Sequence, residues 1–176
     1  MLGLADNKKV VIVGIPGVGK TSLVTKLVEL ITQQSKTVSV HSFGTVMLEE
    51  AMKNGIKDRD ELRTLPIEKQ QELQKMAAED ISNMEDDVIL IDTHAFISTK
   101  SGFYPGLPNY VIQIIKPTNF IAITASPDEI HNRRMKDTTR NRDPVSIEDI
   151  KKELAVQDAM LSSCSVLSGS PMKVVF

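Results

Sequence analysis

The chain alternates between short apolar runs and longer amphipathic stretches. Val10-Val11-Ile12-Val13 is wholly apolar and of strand length, which predicts a strand buried on both faces. From Lys20, apolar residues recur at Leu23, Leu27, Leu30 and Ile31, one face of a helix that ends near Gln34. Thr37–Ser42 alternates through Val38 and Val40 as a second strand, which Gly44 breaks. A short helix is expected over Thr45–Asn54, with Gly55 just past its end. The charged run Lys57–Arg63 precedes a long helix opened by Pro66 and reaching about Met84. Val88–Ile91 is an apolar strand ending at Asp92, and Thr93–Pro108, rich in Gly and Pro, reads as a loop. Tyr110–Ile115 reads as a short helix closed by Pro117, Phe120–Thr124 as a strand, Pro127–Lys136 as a helix and Asp137–Asp143 as a polar loop. Ser146 with Asp149 has the spacing of a capping box, opening a helix through Ile147, Ile150, Leu154 and Leu161. Lys173–Phe176 reads as the last strand. This alternation predicts an α/β fold: a five-stranded parallel sheet with helices on both faces, in one domain spanning 1–176.

Composition narrows the class. At 41% hydrophobic and 25% charged residues the chain is an ordinary globular domain, and 176 residues suffice for a substantial core. The net charge of -2 leaves no broad basic surface, so no nucleic-acid partner is expected. No apolar run approaches membrane-spanning length, so no membrane partner is expected either. Cys164 is the only cysteine and Met1–Lys9 is too polar for a signal peptide, which together point to a reducing cytoplasm. His41, His94 and His131 show no metal-ligand spacing.

The chemistry begins where the first strand ends. Gly14-Ile15-Pro16-Gly17-Val18-Gly19-Lys20-Thr21 is a phosphate-binding loop between a strand and a helix, followed by Ser22. Its glycines let backbone N–H groups converge on phosphate oxygens, and the helix adds the positive end of its dipole. Lys20 is expected to reach the β- and γ-phosphates, and the Thr21 hydroxyl to ligate Mg2+. Asp92 stands at the carboxyl end of an apolar strand, the end at which open α/β sheets bind ligands, and is expected on the Mg2+ side through water. Arg133, Arg134, Lys136, Arg140 and Arg142 place five cations within ten residues, suited to stabilising a transferring phosphoryl group. Of these Arg134 is expected to take the least part. Arg63 lies in the insertion that carries the second substrate in small kinases.

The strand before Asp92 continues as Asp-Thr-His-Ala with no glycine, and no Asn-Lys-x-Asp occurs, so the GTPase base-reading and switch motifs are missing. A small kinase fits better. On the residues alone, three readings stand: a monophosphate kinase, a hydroxyl kinase acting on a nucleoside or another small molecule with Asp92 as base, and a nucleotide switch that binds RNA or protein through the basic run.

The phosphate loop, Asp58-Arg-Asp-Glu-Leu-Arg63, Asp92-Thr-His94, Pro105-Gly-Leu-Pro108 and Asp137-Thr-Thr-Arg-Asn-Arg142, in this order, resemble the archaeal-type adenylate kinases over nearly the whole chain. The resemblance implies transfer of the ATP γ-phosphoryl group to AMP with Mg2+, giving two ADP. It implies an AMP-binding helical segment over 43–84, with Arg63 on the AMP phosphate, and a short lid over 133–145. It places Gly106, Leu107 and Pro108 against the AMP adenine through backbone groups. Lys20, Arg133, Arg140 and Arg142 are the implied catalytic cations, and Gly14–Ser22 the ATP phosphate site. A cation is implied near Ser98, where Lys100 is the nearest. A turn and helix are implied after the last strand, the turn touching the ATP adenine. A trimer is the implied assembly. His94 is read as an orienting residue, and Val40, Met47, Leu48 and Met52 as core.

Overall fold

The computed structural model describes residues 7–99, 101–137 and 145–176. The main sheet consists of β1 (Lys8–Val13), β2 (Val38–Ser42), β3 (Val88–Thr93), β6 (Asn119–Ile123) and β7 (Met172–Val175), all parallel, in the order β2-β3-β1-β6-β7. The apolar runs occupy the middle: Val11, Ile12 and Val13 of β1 and Ile89 and Ile91 of β3 are fully buried. Strands covered by helices on both faces need apolar residues at every position, whereas the edge strands β2 and β7 mix polar and half-exposed ones.

Strand alternation divides the core into two layers. Val11, Val13, Ile89, Ile91, Phe120 and Ala122 face a cluster with α2 (Phe43–Lys53), α4 (Ile67–Ser82) and α5 (Asn109–Ile115). Ile12, Leu90 and Ile123 face the other, with α1 (Lys20–Gln33) and Ile130 of α6 (Pro127–Lys136). The last helix, α7 (Ile147–Ser168), reaches both layers, through Ile150 on one side and Leu161 and Cys164 on the other. It opens on the expected capping box: the Ser146 hydroxyl accepts from the Asp149 N–H, and Asp149 accepts from the Ser146 N–H.

The structure adds three elements to those expected from the pattern. Residues Arg59–Thr64 form a short helix, α3, because Asp58 caps it by accepting from the Asp60 and Glu61 N–H groups. The stretch read as a loop from Thr93 to Pro108 contains an antiparallel hairpin, β4 (Phe96–Thr99) and β5 (Gly102–Pro105). Phe96 and Phe103 meet edge to face, with centroids 5.0 Å apart. Gly44 does not end β2; it is the second residue of α2, which begins directly at Phe43.

Candidate active site

Parallel strands all end at the same edge of the sheet, so the loops after β1 and β3 share one crevice. Ile12 pairs with Asp92 and Val13 with Thr93, which sets Asp92 beside the start of the phosphate loop. The loop bends through Gly17 and Gly19, at φ 94° and 96°, values that a side chain would strain. Gly19 leads directly into α1 at Lys20.

Gly14, Ile15, Pro16, Gly17, Gly19, Lys20, Thr21 and Ser22 line a cavity of about 550 Å³. Val18 turns the other way, 5% exposed in the core beside Ile130, and borders a second cleft with Gly19 and Ser22. The Lys20 ammonium donates to the Thr93 carbonyl oxygen at 2.8 Å. It also lies 2.5 Å from Asp92 Oδ1, an ion pair without hydrogen-bond alignment. The Lys20 side chain is 13% exposed and that of Asp92 31%, so the pair is partly screened by water.

A hydroxyl at Thr21 and one carboxylate at Asp92, both on the cavity wall, fit a hard divalent cation held largely through water and phosphate oxygens. Among the described residues no group of three or more His, Cys, Asp and Glu is arranged to hold a metal by itself.

The opposite wall belongs to α2, α3 and α4. Phe43, Gly44 and Met47 of α2, Arg59 of α3 and Gln74 of α4 line the same cavity, with His94 and Gly106. Arg59 donates from Nη2 to Thr45 Oγ1 at 3.0 Å. Arg63, the expected cation, does not line the cavity: its side chain is 75% exposed and pairs with Asp60 at 3.4 Å. Met47, read as core, is half-buried and reaches the cavity, whereas Leu48 packs with Ala51 and Leu62. Val40 and Met52, also read as core, are 42% and 55% exposed. Leu107 is buried in the core and Pro108 caps α5, so of the Gly106–Pro108 turn only Gly106 borders the cavity. Ser98 lies exposed in the β4–β5 hairpin. Lys100, Arg140 and Arg142 lie outside the described residues.

The two arginines of α6 have different tasks. Arg133 pairs with Glu129, donates from Nη1 to the Gly17 carbonyl oxygen at 3.2 Å, and borders the second cleft with Phe176. Arg134, expected as a bystander, is the more deeply held. Its Nε donates to the Pro16 carbonyl oxygen at 2.7 Å and its Nη2 to Glu153 of α7, also at 2.7 Å, with the side chain 11% exposed. In a trans peptide the C=O and N–H point in opposite directions. Holding the Pro16 oxygen on the helix side therefore turns the Gly17 N–H away from the helices. Arg134 thus ties the phosphate loop to α6 and α7.

Comparison with known proteins agrees with this architecture. A family model described as AAA domain matches residues 13–151. The chain is 40% identical to "Adenylate kinase" of Methanocaldococcus jannaschii, covering 96% of this chain and 89% of that one. It is 42% identical to "Adenylate kinase" of Sulfurisphaera tokodaii, covering 94% and 88%. Among solved structures it resembles shikimate kinase from Acinetobacter baumannii in complex with shikimate, with a TM-score of 0.57 at 12% identity over 98% of this chain and 86% of that one. At that identity the likeness carries the fold, a P-loop kinase sheet with flanking helices. The chain belongs to the adenylate kinase family.

Proposed function

We propose that this phosphotransferase moves the γ-phosphoryl group of ATP onto the phosphate of AMP, reversibly and with Mg2+, giving two ADP. One observation carries the reading. The phosphate loop with Lys20 and Asp92, and a second wall with Arg59, Gln74 and Gly106, border one continuous cavity. Donor and acceptor can therefore meet without leaving the site.

The AMP phosphate is already an anion and needs no base to attack. The work left to the protein is to align the two nucleotides and offset their charge. Lys20, held now by Asp92 and the Thr93 carbonyl, supplies a preorganised cation at the end of the phosphate loop. Arg133 stands over the loop at Gly17, and the second cleft beside it, about 580 Å³, is the candidate space for the ATP base. Mg2+, when bound, would offset charge on the β- and γ-phosphates, with Thr21 and Asp92 as its protein partners. For the acceptor phosphate Arg59 is the better candidate than Arg63, because it alone of the two borders the cavity. Arg140 and Arg142 retain their family-implied part in the lid, and the AMP segment over 43–84 and the lid over 133–145 belong to the same reading. So do the cytoplasmic setting, from the lone Cys164, and the trimer, from the family resemblance.

The direct test supplies the purified chain with Mg-ATP and AMP, CMP, UMP or GMP and follows diphosphate formation. Rapid ADP formation with AMP is expected; no transfer to any monophosphate overturns the reading. Arg59→Ala should raise the AMP requirement about tenfold or more, the loss of one charge-assisted contact, while Arg63→Ala changes it little. The opposite ranking would return the role to Arg63.

A further inference from the structure

Among the described residues Glu50 is the only acidic residue that is buried, 4% exposed. It lies on α2, one turn beyond Met47, and α2 packs against α4. These two helices bring Phe43, Met47 and Gln74 to the cavity. Ala51 of α2 and Ala77 and Ala78 of α4 are fully buried, small residues that let the helices approach closely. A carboxylate in such a contact is costly unless its oxygens are matched.

Two groups match it. Lys53, one turn on at the end of α2, pairs with Glu50 and stands 3.9 Å from Asp80 of α4. Glu50 and Asp80 also share a hydrogen bond. A hydrogen bond between two carboxyl groups needs one proton. That proton sits on Asp80. The Lys53 ammonium, and next the bond to Asp80, hold Glu50 below the usual glutamate range. The bond to Glu50, and next burial, push Asp80 above the usual aspartate range. With the proton in place every charge is matched. Without it two carboxylates face each other across the helix contact, and one ammonium serves both.

We propose that Glu50, Asp80 and Lys53 form a proton-dependent clasp between α2 and α4, and that Glu50 and Asp80 are positioning residues for the monophosphate acceptor. The proposal rests on the adenylate kinase reading and deepens it. None of the three lines the cavity; they act through the two helices that do. A firmly joined wall is preorganised, so less binding energy goes into ordering it. Asp80 binds its proton more tightly in the folded chain. The stability this adds is complete below the ordinary aspartate range and is lost as pH rises through the raised folded value. The clasp therefore loosens toward neutral pH.

Other groups near the clasp also carry charge or titrate. Glu49 and Glu79 stand beside it on its own helices. Of the elements packed against these helices, β2 carries His41, β3 Asp92, α3 its charged run and α5 Tyr110. Asp92 is paired with Lys20, Arg59 with Thr45, Glu61 with the Lys57 N–H, Arg63 with Asp60 and Tyr110 with Gln74. His41 Nε2 is buried with no hydrogen-bond partner among the described residues. A phosphate monoester such as AMP takes up a proton of its own near about pH 6. Asp80→Asn leaves all of these in place, so comparing variant with wild type at each pH removes their titration from the result.

The test is steady-state kinetics of the full chain with Mg-ATP and AMP, from about pH 5 to about pH 8, with thermal unfolding carried down to about pH 3.5. Asp80→Asn gives Glu50 a permanent amide donor in place of the proton. At neutral pH it should lower KM for AMP about threefold or more, the scale of one net hydrogen bond, and raise Tm, with kcat and KM for ATP unchanged. Both differences should shrink in acid, where wild type carries the proton. Glu50→Ala removes the clasp and should raise KM for AMP alone; in that background Asp80→Asn should add little. A neutral-pH KM for AMP that Asp80→Asn leaves unchanged overturns the proposal. So does a gain that persists undiminished in acid, or one shared equally by ATP. A wild-type chain that uses no monophosphate fails earlier, at the reading on which the proposal rests, and the pH dependence of the Tm difference then shows whether the clasp itself stands.

Discussion

Gly106→Ala tests whether the acceptor wall is as tightly built as it looks. A Cβ at Gly106 would lie 1.9 Å from the His94 carbonyl oxygen, 2.9 Å from its carbon and 3.2 Å from the Ala95 carbonyl carbon. All three are backbone atoms, so no side chain can rotate away. Bringing the first contact out even to 3.0 Å requires a backbone shift of about 1.1 Å. The shift must come from the Gly106 side. Its opposite number follows Thr93, which is 9% exposed at the end of a central strand and whose carbonyl is held by Lys20. Moving Gly106 breaks its N–H bond to the Ala95 carbonyl, 2.9 Å long. Overpacking of this kind costs about 1–3 kcal/mol, and the lost hydrogen bond about 1 kcal/mol more. Together they give a destabilisation of about 2–4 kcal/mol, or roughly 5–15 °C in Tm for a domain of this size. Because Gly106 borders the cavity, KM for AMP should rise well before KM for ATP, whose loop is anchored separately by α1, α6 and α7. Thermal unfolding and substrate-varied kinetics read both effects. A variant with wild-type Tm and wild-type KM for AMP would refute the close approach and the assignment of this wall to the acceptor.

Three further outcomes follow from the same geometry. Lys20→Met should lower kcat about 10²–10³-fold or more while the chain still folds, with a lowered Tm because the Asp92 oxygen that faces the ammonium is buried and loses its cation; a folded variant with near-normal turnover would remove Lys20 from the chemistry. Arg134→Gln should weaken Mg-ATP binding, measured by calorimetry, about tenfold while AMP binding holds. Glu153→Gln should show a smaller effect in the same direction, and unaltered ATP binding in both would make the clamp irrelevant. Ser146→Ala should cost about 1 kcal/mol in chemical denaturation at neutral pH through the lost helix cap. The hydrogen bonds from Ser146 hold Asp149 below the ordinary aspartate range, so their contribution is complete above that range and is lost as pH falls through the depressed folded value. The difference between variant and wild type should therefore narrow in acid, and a difference that grows there would contradict the assignment.

What could be read from the sequence is what depends on residue identity at fixed spacing. The phosphate loop needs particular glycines, a lysine and a threonine in one uninterrupted run, and Asp92 needs only to end a strand beside it. Both requirements are local, and the in-register pairing of β1 and β3 brings them together without further information. The second wall depends on which end of a short helix reaches the cavity, which spacing does not reveal. Arg59 and Arg63 are one helical turn apart in the same charged run. Which of them meets the cavity follows from where α3 starts and from Leu62, 8% exposed, which anchors its inner face. Asp58 followed three residues later by Glu61 is the signature of a helix start, and it was the available signal for α3. The hairpin likewise had a faint mark in Phe96-Ile97-Ser98-Thr99 and Phe103-Tyr104 on either side of a glycine, masked by the density of turn residues.

Arg133 and Arg134 show why a charge run cannot be read as a unit. A helix turns about 100° per residue, so neighbours in sequence face different surroundings. Arg133 borders an open cleft, 45% exposed, where a cation can meet a nucleotide. Arg134 points beneath the phosphate loop, where its acceptors among the described residues are a neutral main-chain oxygen and the Glu153 carboxylate. Its partners lie 118 residues before it and 19 after it. No pattern within the run encodes either distance; the fold creates both contacts by stacking α6 between the loop and α7. The same positive charge therefore faces the proposed nucleotide cleft at one position and ties down the loop at the next. Neutralising the two in turn should separate a loss of turnover from a loss of nucleotide affinity.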